Sequence, residues 1–230
     1  MVRAIVVLQA RMASTRLPGK VMAMLGSHTL VGHCIRRLQA ARVGPVIVAT
    51  TVGSEDDVVE AEARRLGCEV VRGSVDDVLG RFVMASDVVP SRWVVRATAD
   101  NPAVDIDSAS RLLRVMEECG AEYGLEQGLP YGAAVEVIAT SALRRAAELA
   151  TSAYDREHVT PYVRNHPDAF RVVMPEAPDD VRRPDLRLTV DTADDLEFMR
   201  NVLQRAEAGA SPSPLPAVCA AADAWLTGHS

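Results

Sequence analysis

The sequence has few cysteines, a single lysine and no long hydrophobic run. Its four cysteines are widely and irregularly spaced among 230 residues, and none forms a C-x-x-C pair. This pattern argues against a zinc site or a disulfide framework and fits reduced thiols in the cytoplasm. No apolar stretch approaches the roughly 18 residues that a membrane span needs. The first apolar run is short and Arg11 follows it, so we expect no signal sequence, no membrane association and a cytoplasmic location.

Acidic residues outnumber basic ones, 31 to 25, which gives a formal net charge of −6. A general nucleic-acid binder needs a basic face, so we expect no nucleic-acid partner. Of the 25 basic residues, 24 are arginine and one is Lys20. A coding bias towards arginine explains this ratio, and it makes the position of the one lysine worth examining.

Short apolar runs alternate with helical patterns in the first half of the chain. Continuous apolar segments predict strands at residues 4–8, 46–51, 69–72 and 93–98. Helices are predicted between them, with Ser54 and Ser74 as N-caps and Asp57 and Asp77, three residues on, as their capping-box partners. This order predicts a parallel sheet covered by helices on both faces, which is a three-layer αβα fold. With 48% hydrophobic residues, the chain can bury a sizeable core.

The second half has a less regular pattern. It predicts a helix over 108–120, a turn at 129–132 before a strand ending at 138, and a helix capped by Ser141 that ends near 150. It then predicts a helix over 155–165 kinked at Pro161, and strands at 170–174 and 186–190. Thr192 is predicted to cap the next helix. We expect one domain over residues 1–207, a linker rich in Gly, Ser and Pro at 208–216, and a tail or docking helix at 217–230.

Two predicted loops, residues 9–26 and 99–107, follow strands at the edge where open α/β sheets bind ligands. The first includes Gln9-Ala-Arg-Met-Ala-Ser-Thr-Arg-Leu-Pro-Gly-Lys20. It matches neither the P-loop nor the dinucleotide-binding pattern. Its two arginines and its lysine suit a polyphosphate, because guanidinium and ammonium groups both pair with phosphate. The residues alone are equally consistent with a solvated basic loop.

The same loop resembles the signature loop of the cytidylyltransferases that make CMP-activated sugar acids. The branch it resembles is the spore-coat polysaccharide biosynthesis type, which is related to CMP-acylneuraminate and CMP-Kdo synthetases. Further blocks are similar and occur in family order over about residues 4–200. They are Arg72-Gly-Ser-Val-Asp-Asp-Val-Leu-Gly-Arg81, Arg96-Ala-Thr-Ala-Asp-Asn-Pro102, Glu136, Asp155-Arg-Glu-His-Val-Thr-Pro-Tyr162 and Leu188-Thr-Val-Asp-Thr-Ala-Asp-Asp195. The combination is specific, whereas any one block alone is weak.

This resemblance implies a nucleotide-diphospho-sugar-transferase-like fold and a reaction in which an acceptor oxygen attacks the α-phosphorus of CTP and pyrophosphate leaves. In the family pattern Arg11 and Lys20 hold the triphosphate, Arg16 assists, and Asp100 and Asp191 bind Mg²⁺. Arg11, Lys20 and Asp100 are therefore the expected catalytic residues. The full set expected to bind the nucleotide is Leu8, Ala10, Arg11, Ser14, Arg16, Lys20, Gly73, Asp77, Arg81 and Thr98.

Several of these residues also have a purely structural interpretation. Asp100 and Asp191 each follow a predicted strand, where an aspartate also serves as a helix cap. The resemblance favours metal binding for both. Asp77 and Arg81 lie four residues apart on a predicted helix and would pair with each other, so their role in nucleotide binding stays open.

The first candidates for acceptor recognition are the ionisable residues of Asp155-Arg-Glu-His158. Residues 155–158 are predicted on the first turn of a helix, where free N–H groups favour an anion. Arg156 and His158 would grip a carboxylate or a phosphonate there, or contact a partner subunit, and a capped, solvated turn is the alternative. The full acceptor set is Asn101, Tyr131, Glu136, Arg156, Glu157 and His158. The resemblance also implies a homodimer, with residues 122–180 as an excursion that binds the acceptor and contacts the partner.

Two other functions stay open from the sequence. Asp105-Ile-Asp107 is a formal D-x-D motif that would suit a glycosyltransferase using a nucleotide sugar, although Asp107 also fits an ordinary helix start. Ala13 and Ala99 stand where the family pattern has glycine, which would suit a nucleotide-binding module without activity. The first alternative predicts no release of pyrophosphate, and the second predicts CTP binding without turnover.

Overall fold

The computed structural model describes residues 2–207 and 212–228. The strands are β1 (Val2–Gln9), β2 (Met24–Leu25), β3 (His28–Thr29), β4 (Val46–Thr51), β5 (Glu69–Gly73), β6 (Ser91–Thr98), β7 (Tyr123–Leu125), β8 (Glu136–Ala139) and β9 (Val172–Val173). The α-helices are α1 (Leu30–Ala40), α2 (Asp57–Arg65), α3 (Val78–Val88), α4 (Ser108–Cys119), α5 (Thr140–Leu149), α6 (Ala153–His158), α7 (Pro161–Asn165), α8 (Ala193–Ala206) and α9 (Leu215–Gly228). Short 3-10 helices lie at Lys20–Met22 and Ser54–Asp56.

Seven strands form one sheet in the order β5-β4-β1-β6-β8-β7-β9, and β2 pairs with β3 separately. Strands β5, β4, β1 and β6 run parallel, as the alternation of strands and helices predicted. Strand β8 runs antiparallel to both β6 and β7, and β9 runs parallel to β7. Helices flank this mainly parallel sheet, so the predicted α/β fold class is confirmed. Residues 4–8 of central β1 are fully enclosed, as expected for a strand covered on both faces.

The prediction of a strand at 186–190 is wrong, because this segment does not join the sheet. The segment is extended and its alternate apolar residues are buried, which accounts for the strand-like pattern. Its backbone bonds to loops instead. Tyr131 N donates to Leu186 O at 2.9 Å, and Leu188 N donates to Tyr131 O at 2.8 Å. Val190 N donates to Asp100 O at 2.8 Å, so the segment ties two loops at the sheet edge together.

The predicted helix over 155–165 is two short helices. Helix α6 begins at Ala153 with Ser152 as its N-cap, and α7 begins at Pro161. Between them Val159 has a φ of 72°, which ends α6. Proline lacks an N–H and clashes with the preceding turn inside a helix, so it begins α7 and does not kink a continuous helix. As a result His158 lies in the last turn of α6 and not near a helix N-terminus.

The predicted N-cap is confirmed at Thr192 and is wrong at Ser54, Ser74 and Ser141. Asp77, predicted as the capping-box partner of Ser74, is itself the N-cap of α3. Asp77 accepts a backbone N–H of α3, and Thr192 forms a reciprocal capping box at the start of α8. Helices α2 and α5 begin without a side-chain cap, and Ser74 lies in the loop before α3. Serine also forms local hydrogen bonds in turns, so its presence before a helix does not identify the capping position. The pattern also missed β7, which is too short to show a periodicity.

The C-terminal helix α9 begins at Leu215, two residues before the expected boundary, and packs against α8. Buried Arg37 donates to Ser213 O at 2.8 Å, just before this helix. Residues 208–211 of the expected linker and 229–230 of the expected tail lie outside the described residues. None of the helices within the described ranges is long and apolar enough to cross a bilayer.

Candidate active site

A cleft of about 980 Å³ lies at the carboxyl end of the parallel strands. Strands β1 and β6 remain paired as far as Gln9 and Thr98, so the loops after them leave the sheet side by side. These two loops line one part of the cleft. Residues between 125 and 136, residues of α3, α6 and α7, and the segment 189–191 line much of the rest. This is the edge at which open α/β sheets bind ligands.

Lys20 joins two aspartates from distant parts of the chain. Its Nζ lies 3.1 Å from Asp100 Oδ2 and 3.1 Å from Asp191 Oδ1, and it donates to Val190 O at 3.0 Å. The side chains of Lys20 and Asp191 are each only 13% exposed. Partial burial reduces the solvent screening that makes ion pairs on a protein surface weak. The one lysine of the chain therefore holds these two carboxylates together.

The loop after β1 has a defined backbone path that places Lys20. Gly19 has a φ of 69°, a left-handed conformation that favours glycine, and its N–H donates to Met12 O at 3.2 Å. Lys20 then begins a 3-10 helix. The buried carboxylate of Asp56 accepts from Met12 N at 2.6 Å and from Thr51 N at 3.1 Å. The loop is thus fastened to the end of β4 as well as to itself.

Asp191 has two further cationic partners. Its Oδ1 lies 2.8 Å from a guanidinium nitrogen of Arg16, and its Oδ2 accepts from Arg187 at 2.6 Å. Burial alone would raise the pKa of Asp191, but hydrogen bonds from Lys20 and Arg187 outweigh it, so the pKa is lowered. The carboxylate is therefore ionised at neutral pH. Sequence reasoning missed Arg187, because a spacing of four residues indicates pairing only in a helix and this segment is extended.

Thr98 and Asn101 form a hydrogen-bonded group with Asp100. The Thr98 hydroxyl donates to Asp100 Oδ1 at 2.6 Å, and Asn101 Nδ2 donates to Thr98 Oγ1 at 2.9 Å. The Thr189 hydroxyl donates to the backbone carbonyl of Asp100 at 3.1 Å. Because Lys20 binds Oδ2, both carboxylate oxygens of Asp100 have partners, which fixes the orientation of this side chain.

Arg81 and Asp77 do not pair with each other, although they lie four residues apart. Arg81 is buried and donates to the backbone carbonyls of Ser74 and Val75. Its pKa is lowered, chiefly because burial disfavours the charged form. Asp77 pairs with Arg156, which holds that arginine against the start of α3.

Arg11 connects the loop after β1 to α6. One of its guanidinium nitrogens lies 3.3 Å from Glu157 Oε1. The two side chains are 37% and 52% exposed, so solvent screening limits this pair to about 0–1 kcal/mol. The contact between Arg11 and Glu157 therefore links the loop after β1 to α6 only weakly.

Glu136 is a buried carboxylate at the start of β8. It accepts from the Tyr123 hydroxyl at 2.5 Å and from the Thr160 hydroxyl at 2.7 Å, and it pairs with Arg96. Burial alone would raise the pKa of Glu136, but the charge of Arg96 and these hydrogen bonds outweigh it, so the pKa is lowered. Glu136 is thus an ionised group that holds Arg96 at the cleft.

Most of the site residues predicted from the sequence line this one cleft. They are Ala10, Arg11, Ser14, Arg16, Lys20, Arg81, Thr98, Asp100, Asn101, Tyr131, Glu136, Glu157, His158 and Asp191. The predicted residues that do not line it are Leu8, Gly73, Asp77 and Arg156. Leu8 is enclosed in the core of the sheet, and Arg156 is paired elsewhere. Two lining residues that sequence reasoning did not select are Arg96, visible as a charge within an apolar strand, and Arg164, which carried no signal.

The D-x-D motif has a structural explanation. The buried carboxylate of Asp105 accepts from Arg111 at 2.5 Å and from Asp107 N at 3.2 Å. Neither aspartate lines the cleft. The motif therefore organises the start of α4, as the ordinary interpretation of Asp107 indicated.

The two alanines that stand where glycine was expected cause no backbone strain. Among non-glycine residues of the described chain, only Arg42 and Val159 have a positive φ. Ala13 and Ala99 both line the cleft in conformations open to any L-residue, so the backbone does not require glycine at either position.

Comparisons with known proteins agree with one another. A family model described as cytidylyltransferase matches residues 5–210. The chain is 36% identical over 206 residues to the spore coat polysaccharide biosynthesis protein SpsF of Bacillus subtilis, which covers 87% of this chain and 86% of that protein. It is 42% identical over 122 residues to a 3-deoxy-manno-octulosonate cytidylyltransferase of Rhodopseudomonas palustris, which covers 50% of this chain and 48% of that protein. A solved cytidylyltransferase structure from Leptospira borgpetersenii has a TM-score of 0.89 and 26% identity, covering 99% of this chain and 96% of that chain.

Proposed function

The chain belongs to the cytidylyltransferase family, and from that membership we propose that it transfers CMP from CTP to an acidic small molecule and releases pyrophosphate. The proposed acceptor is a sugar acid or a phosphonate-type acid of a polysaccharide or natural-product pathway. The observation that carries the proposal is the cluster of Lys20 with Asp100 and Asp191. This cluster supplies both a phosphate-binding cation and metal-binding carboxylates at the ligand-binding edge of the sheet.

In the proposed reaction Arg11, Arg16 and Lys20 bind the triphosphate. All three side chains come from the loop after β1 and line the same cleft, where their charges would stabilise the negative charge that develops on the phosphates. An acceptor oxygen bonds to the α-phosphorus while the bond to pyrophosphate breaks, and a hydroxyl acceptor gives its proton to solvent. Ala10, Ser14, Arg81 and Thr98 line the neighbouring part of the cleft and are proposed to face the rest of the nucleotide.

Asp100 and Asp191 would hold Mg²⁺, and their chemistry fits this ion. Mg²⁺ prefers hard oxygen ligands and is commonly bound by one or two carboxylates together with phosphate and water. The two carboxylates already converge on one cation, the Lys20 ammonium. Across the described residues no group of three His, Cys, Asp or Glu side chains is placed to hold a metal, so phosphate and water would complete the ligand set. When bound, the ion would neutralise charge at the reacting phosphoryl group.

We further propose that residues 122–180 form the acceptor-binding excursion and the dimer contact of a cytoplasmic homodimer. Asn101, Tyr131, Glu136, Glu157 and His158 all line the cleft and are the proposed acceptor contacts. The described cysteines are free, which suits a reducing compartment. Light scattering on the purified chain tests the dimer, and a mass of one chain in solution would contradict it.

Pyrophosphate release tests the proposed reaction. The full chain is incubated with Mg²⁺, with each of the four NTPs, and with a panel of sugar acids and phosphonates. We expect release that depends on CTP and on one acid. Lys20→Ala and Asp100→Asn should each lower the rate by about 10²–10³-fold, as removal of a group that stabilises developing charge does elsewhere.

Asp107→Asn is the matched control for Asp100→Asn. It removes the same charge at an exposed position outside the cleft, and it should leave the rate unchanged. Equal losses in both variants would contradict the role of Asp100. Tight CTP binding without turnover on any acid would favour a binding module, and failure to bind CTP would overturn the proposed function.

A further inference from the structure

Arg164 is a cleft residue whose guanidinium has no hydrogen-bond or ion-pair partner among the described residues. It lies on α7 and lines the cleft, yet its side chain makes no hydrogen bond or ion pair with any residue of 2–207 or 212–228. Its Nε is buried without an acceptor. Buried polar groups in proteins nearly always have a hydrogen-bond partner, so an exception in a cleft points to a ligand.

Arg96 shows the same feature on β6. One of its nitrogens pairs with Glu136, but its Nε is also buried without an acceptor. Arg164 lies close enough to Glu136 for its charge to help lower the pKa of that carboxyl. Two guanidiniums around one carboxylate leave one positive charge uncompensated, which favours an anion at this end of the cleft.

The carboxylates of the cleft offer Arg164 no alternative partner. Tyr123 and Thr160 donate to one oxygen of Glu136, and Arg96 pairs with the other. The remaining carboxylates among the described lining residues already have basic partners, which are Lys20 for Asp100 and Asp191, Arg11 for Glu157, and Arg111 for Glu126. An internal ion pair therefore does not explain the position of Arg164.

We propose that Arg164 and Arg96 together bind the acid group of the acceptor. The group is an oxyanion, either a carboxylate or a phosphonate, because guanidinium N–H groups match both and often bind them in a bidentate manner. The assignment rests on the proposed function and deepens it, since it specifies where the acidic acceptor is recognised. Glu136 is a positioning residue in this arrangement, because it holds Arg96 in place.

This assignment differs from the expectation that Arg156 grips the acid. Arg156 pairs with Asp77 and donates to Ala147 O at 2.7 Å, and it does not line the cleft. His158, at the end of α6, lines the cleft together with Arg164 on α7. The acceptor contacts would thus come from both short helices.

The test uses the full chain and two anion probes, acetate for a carboxylate and methylphosphonate for a phosphonate. The Nε–H signals of Arg164 and Arg96 are followed by ¹H–¹⁵N NMR during titration and are assigned from their loss in Arg164→Gln and Arg96→Gln. Arg164→Lys keeps the charge and removes the planar fork. Arg114→Gln makes the same charge change at an exposed position on α4 and is the matched control. CTP binding is measured in every variant as a check of folding.

We expect at least one probe to shift the Arg164 signal in the wild type and in Arg114→Gln. The dissociation constant of that probe should rise about tenfold or more in Arg164→Gln and less in Arg164→Lys, with CTP binding unchanged. A response to acetate alone identifies a carboxylate acceptor, and a response to methylphosphonate alone identifies a phosphonate. No shift with either probe, or unchanged probe binding in Arg164→Gln, would overturn the assignment and leave the proposed function intact. Failure of the wild-type chain to bind CTP would instead overturn the proposed function.

Discussion

Asp56 is a buried carboxylate that connects two parts of the frame around the cleft. It accepts from Met12 N in the loop after β1, and from the backbone and hydroxyl of Thr51 at the end of β4. The loop that it fastens carries Arg11 and Lys20. A single side chain therefore couples stability to the position of the proposed triphosphate site.

Asp56→Asn should destabilise the protein and weaken CTP binding. An amide can present only one oxygen where the carboxylate presents two, so one buried donor loses its acceptor. We expect the free energy of unfolding to fall by about 1–3 kcal/mol. Urea unfolding and CTP titration measure the two effects. Asp57→Asn, at an exposed carboxylate paired with Arg72, should change stability by no more than about 1 kcal/mol, and an equal loss there would contradict the role of Asp56.

At the scale of elements, the start of α8 and the proposed metal site share one set of hydrogen bonds. Thr192 Oγ1 accepts from Asp195 N at 3.2 Å. Asp195 Oδ2 in return accepts from Thr192 N at 2.9 Å and from Asp191 N at 2.9 Å. The capping box therefore also holds the backbone that carries the Asp191 carboxylate, although the residues before it form no strand of the sheet.

Thr192→Ala should lower the free energy of unfolding by about 1 kcal/mol, the usual effect of removing an N-cap side chain. Ser54→Ala removes the hydroxyl of a residue that resembles a cap in the sequence but makes no capping hydrogen bond in the structure, so it should have an effect below about 0.5 kcal/mol. Thermal or urea unfolding of both variants measures the difference. Equal effects would show that the observed capping geometry does not govern helix stability here.

At the scale of the whole molecule, α1 packs near the end of α8 at buried His33. Burial first, and then the charge of Arg37, lowers the pKa of His33 to about 4. Its Nε2 lies 3.9 Å from Glu207 Oε1, but a neutral imidazole makes no ion pair at neutral pH. Arg37 also bonds to Ser213 O, so this region joins α1 to the segment before α9.

The free energy of unfolding should decrease as the pH is lowered, because His33 stays neutral in the folded state but has a pKa near 6.5 in the unfolded state. Between that value and about 4 the unfolded chain binds the extra proton, so acidification favours unfolding. We expect the wild type to lose about 2 kcal/mol more than His33→Gln on going from about pH 7.5 to about pH 5. Urea unfolding at both pH values measures this. His166→Gln, at an exposed histidine, should follow the wild type, and an unchanged pH response in His33→Gln would contradict the mechanism.

The sequence by itself determined the α/β class, the parallel strands and the edge of the sheet at which the site lies. These features follow from local periodicity, since a buried strand shows as a continuous apolar run wherever it pairs. The motif blocks also identified the family, together with Arg11, Lys20, Asp100 and Asp191 as cleft residues. The local pattern wrongly predicted a strand at residues 186–190, because alternate side chains of this segment are buried although it pairs with no strand of the sheet.

Only the tertiary structure decided which charged groups meet. The sequence spacing suggested Arg81, four residues away, as the partner of Asp77, but the fold pairs Asp77 with Arg156, far along the chain. Arg164 had no motif to mark it, and it became a candidate only when the fold left it in the cleft without a partner. Electrostatic partners depend on distance and burial in space, and neither quantity is encoded in the local spacing of residues.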